Sequence, residues 1–264
     1  MKNRLLEKTR QAVRRKEKLF CAFLTLGFPD LKSTGKLILE FEKAGVDIIE
    51  LGFPFSDPMA DGPTIQFSSD YALRRGVQMR DAFQVVKHVR ALGCKIPILF
   101  FSYLNPIFNH GYKLCAKESA AAGLDGLIVP DAPPEEEKEL SKACHQKSLA
   151  RVFLIAPTTE KKRAAWIARR SEGFVYYVSL RGVTGARRQV PQDLRKNLNS
   201  IKRVTHKPVL IGFGVSSPGQ SRQLGALAQG VIVGSALVEK LRQSPRNIEP
   251  AVRFIRSMVR ALKS

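Results

Sequence analysis

Glu50 and Asp61 bracket a segment, Glu50-Leu-Gly-Phe-Pro-Phe-Ser-Asp-Pro-Met-Ala-Asp61-Gly-Pro-Thr-Ile-Gln66, whose residue types suit acid–base chemistry. Glu50 interrupts an apolar run that opens at Ile48-Ile49, where a buried strand ordinarily carries no charge. A carboxylate at the C-terminal end of such a strand must be solvated by something. Burying it unpaired costs several kcal/mol or shifts its pKa upward. The structural alternative is an acid that caps a helix or pairs with an arginine. A second acid, Asp61, in a stiff loop built from Pro54, Ser56, Asp57, Pro58, Gly62 and Pro63 favours a catalytic pair.

A second signal lies late in the chain. Leu210-Ile211-Gly212-Phe213-Gly214-Val215-Ser216-Ser217-Pro218 follows one apolar run, and Val231-Ile232-Val233-Gly234-Ser235-Ala236 contains the next. Glycines there let backbone N–H groups approach an anion, and Gly234-Ser235 opens a helix whose N-terminal dipole favours negative charge. Each glycine group alone could be a simple turn; together they point to a phosphorylated ligand. A third stretch, Ser179-Leu180-Arg181-Gly182-Val183-Thr184-Gly185-Ala186-Arg187-Arg188, is long, polar and glycine-hinged. It reads equally as a lid or as an ordinary surface loop.

The elements that must position these residues alternate along the whole chain. Short apolar runs at 20–26, 48–51, 96–101, 126–129, 151–155, 175–178, 209–212 and 231–233 read as parallel strands covered on both faces. Helical patterns separate them at 31–44, 81–92, 112–122, 135–147, 160–170, 193–204, 219–228 and 236–242, with amphipathic ends at 4–15 and 247–262. Eight βα units in a chain of this length suggest a (β/α)8 TIM barrel with an extra N-terminal helix, its site on the loops after the strands. A doubly wound sheet would place a glycine-rich dinucleotide loop after the first strand, and Thr25-Leu26-Gly27-Phe28-Pro29 is not one. No linker divides the chain, so residues 1–264 read as a single domain.

Composition narrows the class further. No apolar stretch approaches the roughly 20 residues of a membrane span, and the charged N-terminus lacks the apolar core of a secretory signal. Cys21, Cys94, Cys115 and Cys144 are scattered and read as reduced, mostly buried thiols of a cytoplasmic protein; with the histidines equally dispersed, no metal site is expected. Lys+Arg 44 against Asp+Glu 23 gives a formal charge of +21. The basic residues spread over the helices without interleaved aromatics, which suits a basic surface better than a specific nucleic-acid site.

These segments together resemble the tryptophan synthase alpha subunit. The stretch from Glu50 to Gln66 is close to that family's signature. Leu26-Gly27-Phe28-Pro29, Asn105-Pro106-Ile107-Phe108, Asp131-Ala-Pro-Pro-Glu135-Glu136, Gly182-Val-Thr-Gly185, Gly212-Phe-Gly214 and Gly234-Ser235 follow in the family's order over nearly the full length. The resemblance implies a lyase that cleaves indole-3-glycerol phosphate to indole and glyceraldehyde 3-phosphate. It needs no cofactor of its own and works with a pyridoxal-phosphate-dependent beta subunit in an alpha2beta2 complex. It further implies that Glu50 is the general acid/base at indole C3 and the glycerol hydroxyl, and that Asp61 stabilises or accepts the indole N–H proton. Phe23, Phe101, Tyr103, Ile128 and Tyr176 would line the indole pocket, Thr184 would hydrogen-bond Asp61, Gly185, Gly214, Gly234 and Ser235 would hold the phosphate, and Gly212 and Phe213 would also bind substrate. Burial among apolar neighbours should raise the pKa of Glu50 toward neutrality, whereas Asp61, on a loop, should stay ionised.

Departures from the family pattern are few. Met59 stands where leucine is usual, Arg181 replaces a small or hydroxylated residue, and Leu104 takes an aromatic position. A non-catalytic activator of the beta subunit is the alternative function, against which the presence of Glu50, Asp61 and Thr184 speaks.

Overall fold

The computed structural model describes residues 3–178, 192–212 and 214–264. The first half of the chain runs α1 (Arg4–Arg15), β1 (Leu19–Thr25), α2 (Leu31–Lys43), β2 (Ile48–Gly52), α3 (Pro63–Arg74), α4 (Met79–Ala91), β3 (Ile98–Phe101), α5 (Leu104–His110), α6 (Tyr112–Ala122) and β4 (Gly126–Ile128). It continues with α7 (Lys138–Gln146), β5 (Ala150–Val152), β6 (Leu154–Ile155), α8 (Lys161–Arg170), β7 (Val175–Val178) and α9 (Gln192–Lys202). The last elements are β8 (Val209–Gly212), α10 (Pro218–Leu227), β9 (Gly230–Val233), α11 (Ser235–Gln243) and α12 (Glu249–Lys263).

The strands are apolar on both faces because both faces are covered, by helices outside and by one another inside. They pair in parallel in the order β5-β4-β3-β2-β1-β9-β8-β7-β6. The strand expected over 151–155 is corrected to two segments. At Phe153 the backbone turns away from β4: its N–H donates to Ser171 Oγ at 3.0 Å, and its carbonyl accepts from the Tyr176 N–H at 3.2 Å. One half therefore pairs with β4 and the other with β7, and the two together are one stave of a (β/α)8 barrel.

Two helices escape a reading of apolar period. In α3 the buried face includes Ser68 and Ser69, so the pattern looks polar; the usable signal is Pro63 in the first turn after Gly62. In α5 the Leu104 N–H is capped by the Asp131 carboxylate at 2.9 Å, a partner far along the chain. The helix expected over 135–147 starts only at Lys138, because the Glu137 carboxylate is held by Arg151 and Ser141 and residues 133–137 turn instead.

The N-terminal helix α1 covers the end of the barrel opposite the site. The Asn3 side chain caps it by accepting from the Leu6 N–H at 3.2 Å and donates to the carbonyls of Asp125 and Ser148. Lys8 pairs with Asp47 at 2.7 Å, just before β2, and Arg4 with Asp125 at 3.0 Å, just before β4. Asp125 also accepts from Arg90 and from the Ile98 N–H, so one buried carboxylate ties three elements to the bottom rim. That closure leaves the C-terminal mouth as the open end.

Candidate active site

Glu50 is the third residue of β2, in register with Phe23 of β1 and Leu99 of β3. The pleat sends Ile49 and Leu51 outward to the helices, and Glu50 and Gly52 inward. The Glu50 side chain is fully buried. The Cys21 S–H donates to its Oε1 at 3.4 Å, and Oε2 has no hydrogen-bond partner among the described residues. Desolvation pushes its pKa up to about 8, with the Cys21 bond pulling weakly the other way. The expected shift toward neutrality is thus present, and its cause is the apolar interior.

Asp61 is half-buried, in a loop that is exposed at Ser56, Asp57, Met59 and Ala60 but tied to the barrel rim. The Phe53 N–H donates to the Phe101 carbonyl at 2.8 Å, the Ala60 N–H to Tyr103 Oη at 3.0 Å, and Gln66 Nε2 to the Asp61 carbonyl at 2.8 Å. Burial raises the Asp61 pKa to about 6, opposed by a hydrogen bond from Tyr103. The carboxylate keeps its charge at neutral pH, but by a smaller margin than a loop position suggests. Tyr103 is held protonated by burial and by Asp61 itself, so it donates to Asp61 while accepting from Ala60. Its hydroxyl is a fastener of the loop as well as pocket wall, a role its sequence position does not reveal.

The remaining wall residues come together around Glu50. Phe23 and Phe101 meet edge to face, their centroids 5.5 Å apart. Ile128 of β4 is fully buried. Tyr176 is half-buried on β7, its ionisation suppressed first by desolvation and then by Glu50, Cys21 and Asp61, so it remains a neutral phenol facing both acids. Two glycines make room for these rings. A Cβ on Gly52 would stand 2.4 Å from the Phe23 ring, and one on Gly212 would stand 2.6 Å from the Tyr176 ring. Gly212 thus has a space-making role beside Tyr176, apart from the phosphate contact expected of it from the sequence. Gly212→Ala should push Tyr176 off its position and lower kcat/KM by roughly 10- to 100-fold with little change in thermal midpoint. Unchanged steady-state kinetics would remove Tyr176 from the pocket wall.

The glycine-bearing ends of β8 and β9 are neighbours at the same mouth. Gly214 takes φ +41, a conformation that glycine adopts without strain. Gly234 precedes the first residue of α11, the exposed Ser235, and its carbonyl accepts from the Leu237 and Val238 N–H groups. Thr184, Gly185, Phe213 and the lid candidate 179–188, with Arg181, lie outside the described residues. The four cysteines are free and buried. Among the described residues no group of three or more His, Cys, Asp or Glu side chains is placed to hold a metal ion, and no helix is long and apolar enough to cross a membrane.

Two carboxyls whose surroundings push their acidities apart, set among aromatic side chains inside a (β/α)8 barrel, place the chain among barrel enzymes that work by proton transfer. The tryptophan synthase alpha chain family model matches residues 9–264. The tryptophan synthase alpha chain of Geotalea daltonii is 45% identical over 86% of each chain, and that of Pelobacter propionicus 42% identical over 98% of each. Among solved structures, tryptophan synthase subunit alpha from Legionella pneumophila superposes with a TM-score of 0.91 at 31% identity over 99% of each chain. A Mycobacterium tuberculosis tryptophan synthase chain gives 0.91 at 34% identity over 100% of each. The chain belongs to the tryptophan synthase alpha chain family. It is a carbon–carbon lyase of tryptophan biosynthesis that cleaves indole-3-glycerol phosphate.

Proposed function

We propose that the cleavage runs on Glu50 and Asp61 as two complementary proton carriers. The observation that supports this is their placement. Glu50 is wholly buried with Oε2 unpartnered among the described residues, so burial raises its pKa to about 8 and it holds its proton at neutral pH. Asp61, half-buried in the loop that Tyr103 fastens, is raised only to about 6 and has lost its own. Glu50 gives its proton to indole C3 while Asp61 takes the proton of the indole N–H, which converts the ring to its 3H-tautomer. The Glu50 carboxylate then removes the proton of the glycerol hydroxyl attached to the carbon bonded to C3. That oxygen becomes the aldehyde carbonyl, the C3–C bond breaks, and its electron pair restores the indole as Asp61 returns the proton to nitrogen. Both acids end as they began. Phe23, Phe101, Ile128 and Tyr176 hold the ring, and the backbone at Gly212, Gly214, Gly234 and Ser235 receives the phosphate. With both acids seated in the pocket, no observation favours a non-catalytic activator.

The same reading assigns a partner. The loop after β2 exposes Asp57 and Met59, the latter 83% accessible, immediately before Ala60 and Asp61, which Tyr103 holds. A protein docking there shifts the Asp61 loop directly. A beta subunit that carries pyridoxal phosphate, assembled with this chain as alpha2beta2 in the cytoplasm, fits that surface. With +21 on this chain, the partner face should be acidic. Indole release from indole-3-glycerol phosphate, measured while a beta subunit is added at low and high salt, tests the reading. Strong activation that needs more partner at high salt is expected. A flat response to the partner would leave a stand-alone lyase, and no indole at all would remove the assigned reaction.

A further inference from the structure

Beneath the reacting carboxyl lies a side chain that the proton-transfer scheme leaves unused. Cys21 is on β1, two residues before Phe23, and the pleat turns both side chains into the barrel. Its Sγ is 3.4 Å from Glu50 Oε1, and both residues are wholly shielded from solvent. Because Oε2 has no partner, the thiol makes the single hydrogen bond that the carboxyl receives among the described residues. The surrounding groups are accounted for. Leu99 of β3 is apolar and in register, Tyr176 of β7 is neutral and faces both Glu50 and Asp61, and Asp47, before β2, acts on Cys21. An aliphatic side chain would fill the same space, so packing alone gives no reason for sulfur there.

We propose that Cys21 is a positioning residue for Glu50: its S–H fixes Oε1 downward in the barrel and leaves Oε2 as the oxygen that exchanges protons with the substrate. The proposal deepens the reading of Glu50 as the acid/base and rests on it. Burial, reinforced by the adjacent carboxyl, keeps the thiol protonated, so sulfur is the donor and Oε1 the acceptor. A thiol is a weak donor. It orients the carboxyl while stabilising the carboxylate only slightly, which leaves Glu50 protonated near neutrality. A hydroxyl at the same place would favour the carboxylate more strongly, and an alkyl group would not hold it at all.

The test compares Cys21→Ser and Cys21→Val with the wild type in full pH profiles of kcat and KM. The limb governed by Glu50 should move to lower pH in the serine variant and to higher pH in the valine variant, each by roughly half a unit or more. KM should stay within about twofold, since neither variant alters the groups that bind the ring or the phosphate. A purely structural role would lower activity without moving the limb in opposite directions, so superimposable limbs, or shifts of one sign, overturn the proposal. A readout independent of turnover is the infrared S–H band that Cys21→Ser removes. It should shift between wild type and Glu50→Leu, which has no acceptor, and an unmoved band also overturns the contact. Near-wild-type turnover of Glu50→Gln would instead overturn the reading of Glu50 and the proposal with it.

Discussion

Glu50→Gln is expected to abolish most indole release, by at least 10²–10⁴-fold, the usual loss on removing one positioned acid/base. The same substitution should make the protein more stable at alkaline pH. In the folded barrel the carboxyl titrates near 8, and in the unfolded chain near 4.5. Between those values the folded state holds a proton that the unfolded state has released, so wild-type stability falls as pH rises through the window. Glutamine has no proton to lose. The variant should match the wild type below pH 4.5 and exceed it progressively up to about pH 8, by an amount on the order of 5 kcal/mol if the whole shift is expressed. Denaturant midpoints measured across that range, alongside indole release, check both halves. A variant that is inactive because it is unfolded would show the opposite stability trend, and one that retains turnover would return Glu50 to a structural role.

Asp61→Asn is the second large effect expected. The ring nitrogen loses its charged proton acceptor, and activity should fall by a further 10²–10⁴-fold relative to the wild type. The wild-type rate should decline about tenfold per unit as pH drops below the Asp61 value near 6, because only the ionised carboxylate accepts a proton. Tyr103→Phe sharpens the test. It removes the hydroxyl that donates to Asp61 and favours its charged form, so the acidic limb should move to higher pH. It also frees the Ala60 N–H, which should weaken substrate binding by loosening the loop. An acidic limb that persists unchanged in both variants would show that another group sets it.

Much of this protein is written in local pattern. Alternating apolar runs and helices are enough to give a parallel sheet covered on both faces, and eight units without a dinucleotide loop point to the barrel. The acid in the β2 run and the paired glycines after β8 and β9 are equally local, so the site's main members are legible before any folding. The sequence also predicts the direction of the Glu50 shift, since an acid in a buried strand must lose its hydration.

Tertiary structure decided whatever depends on a partner distant in the chain. The fifth stave divides at Phe153 because Ser171 and Tyr176 take its backbone groups. Helix α7 begins late because Arg151, on the next strand, takes Glu137. The acidity of Asp61 reflects its burial first, opposed by Tyr103, a residue far along the chain that also fastens the loop through Ala60. Gly52 and Gly212 look like ordinary strand ends until the rings of Phe23 and Tyr176 occupy the space where a Cβ would stand. Cys21 is one apolar strand residue among many until parallel pairing of β1 with β2 brings its sulfur against Glu50. Periodicity specifies which side of an element is buried; only the packed barrel specifies what that side touches, and the touching groups set the charge and position of the acids.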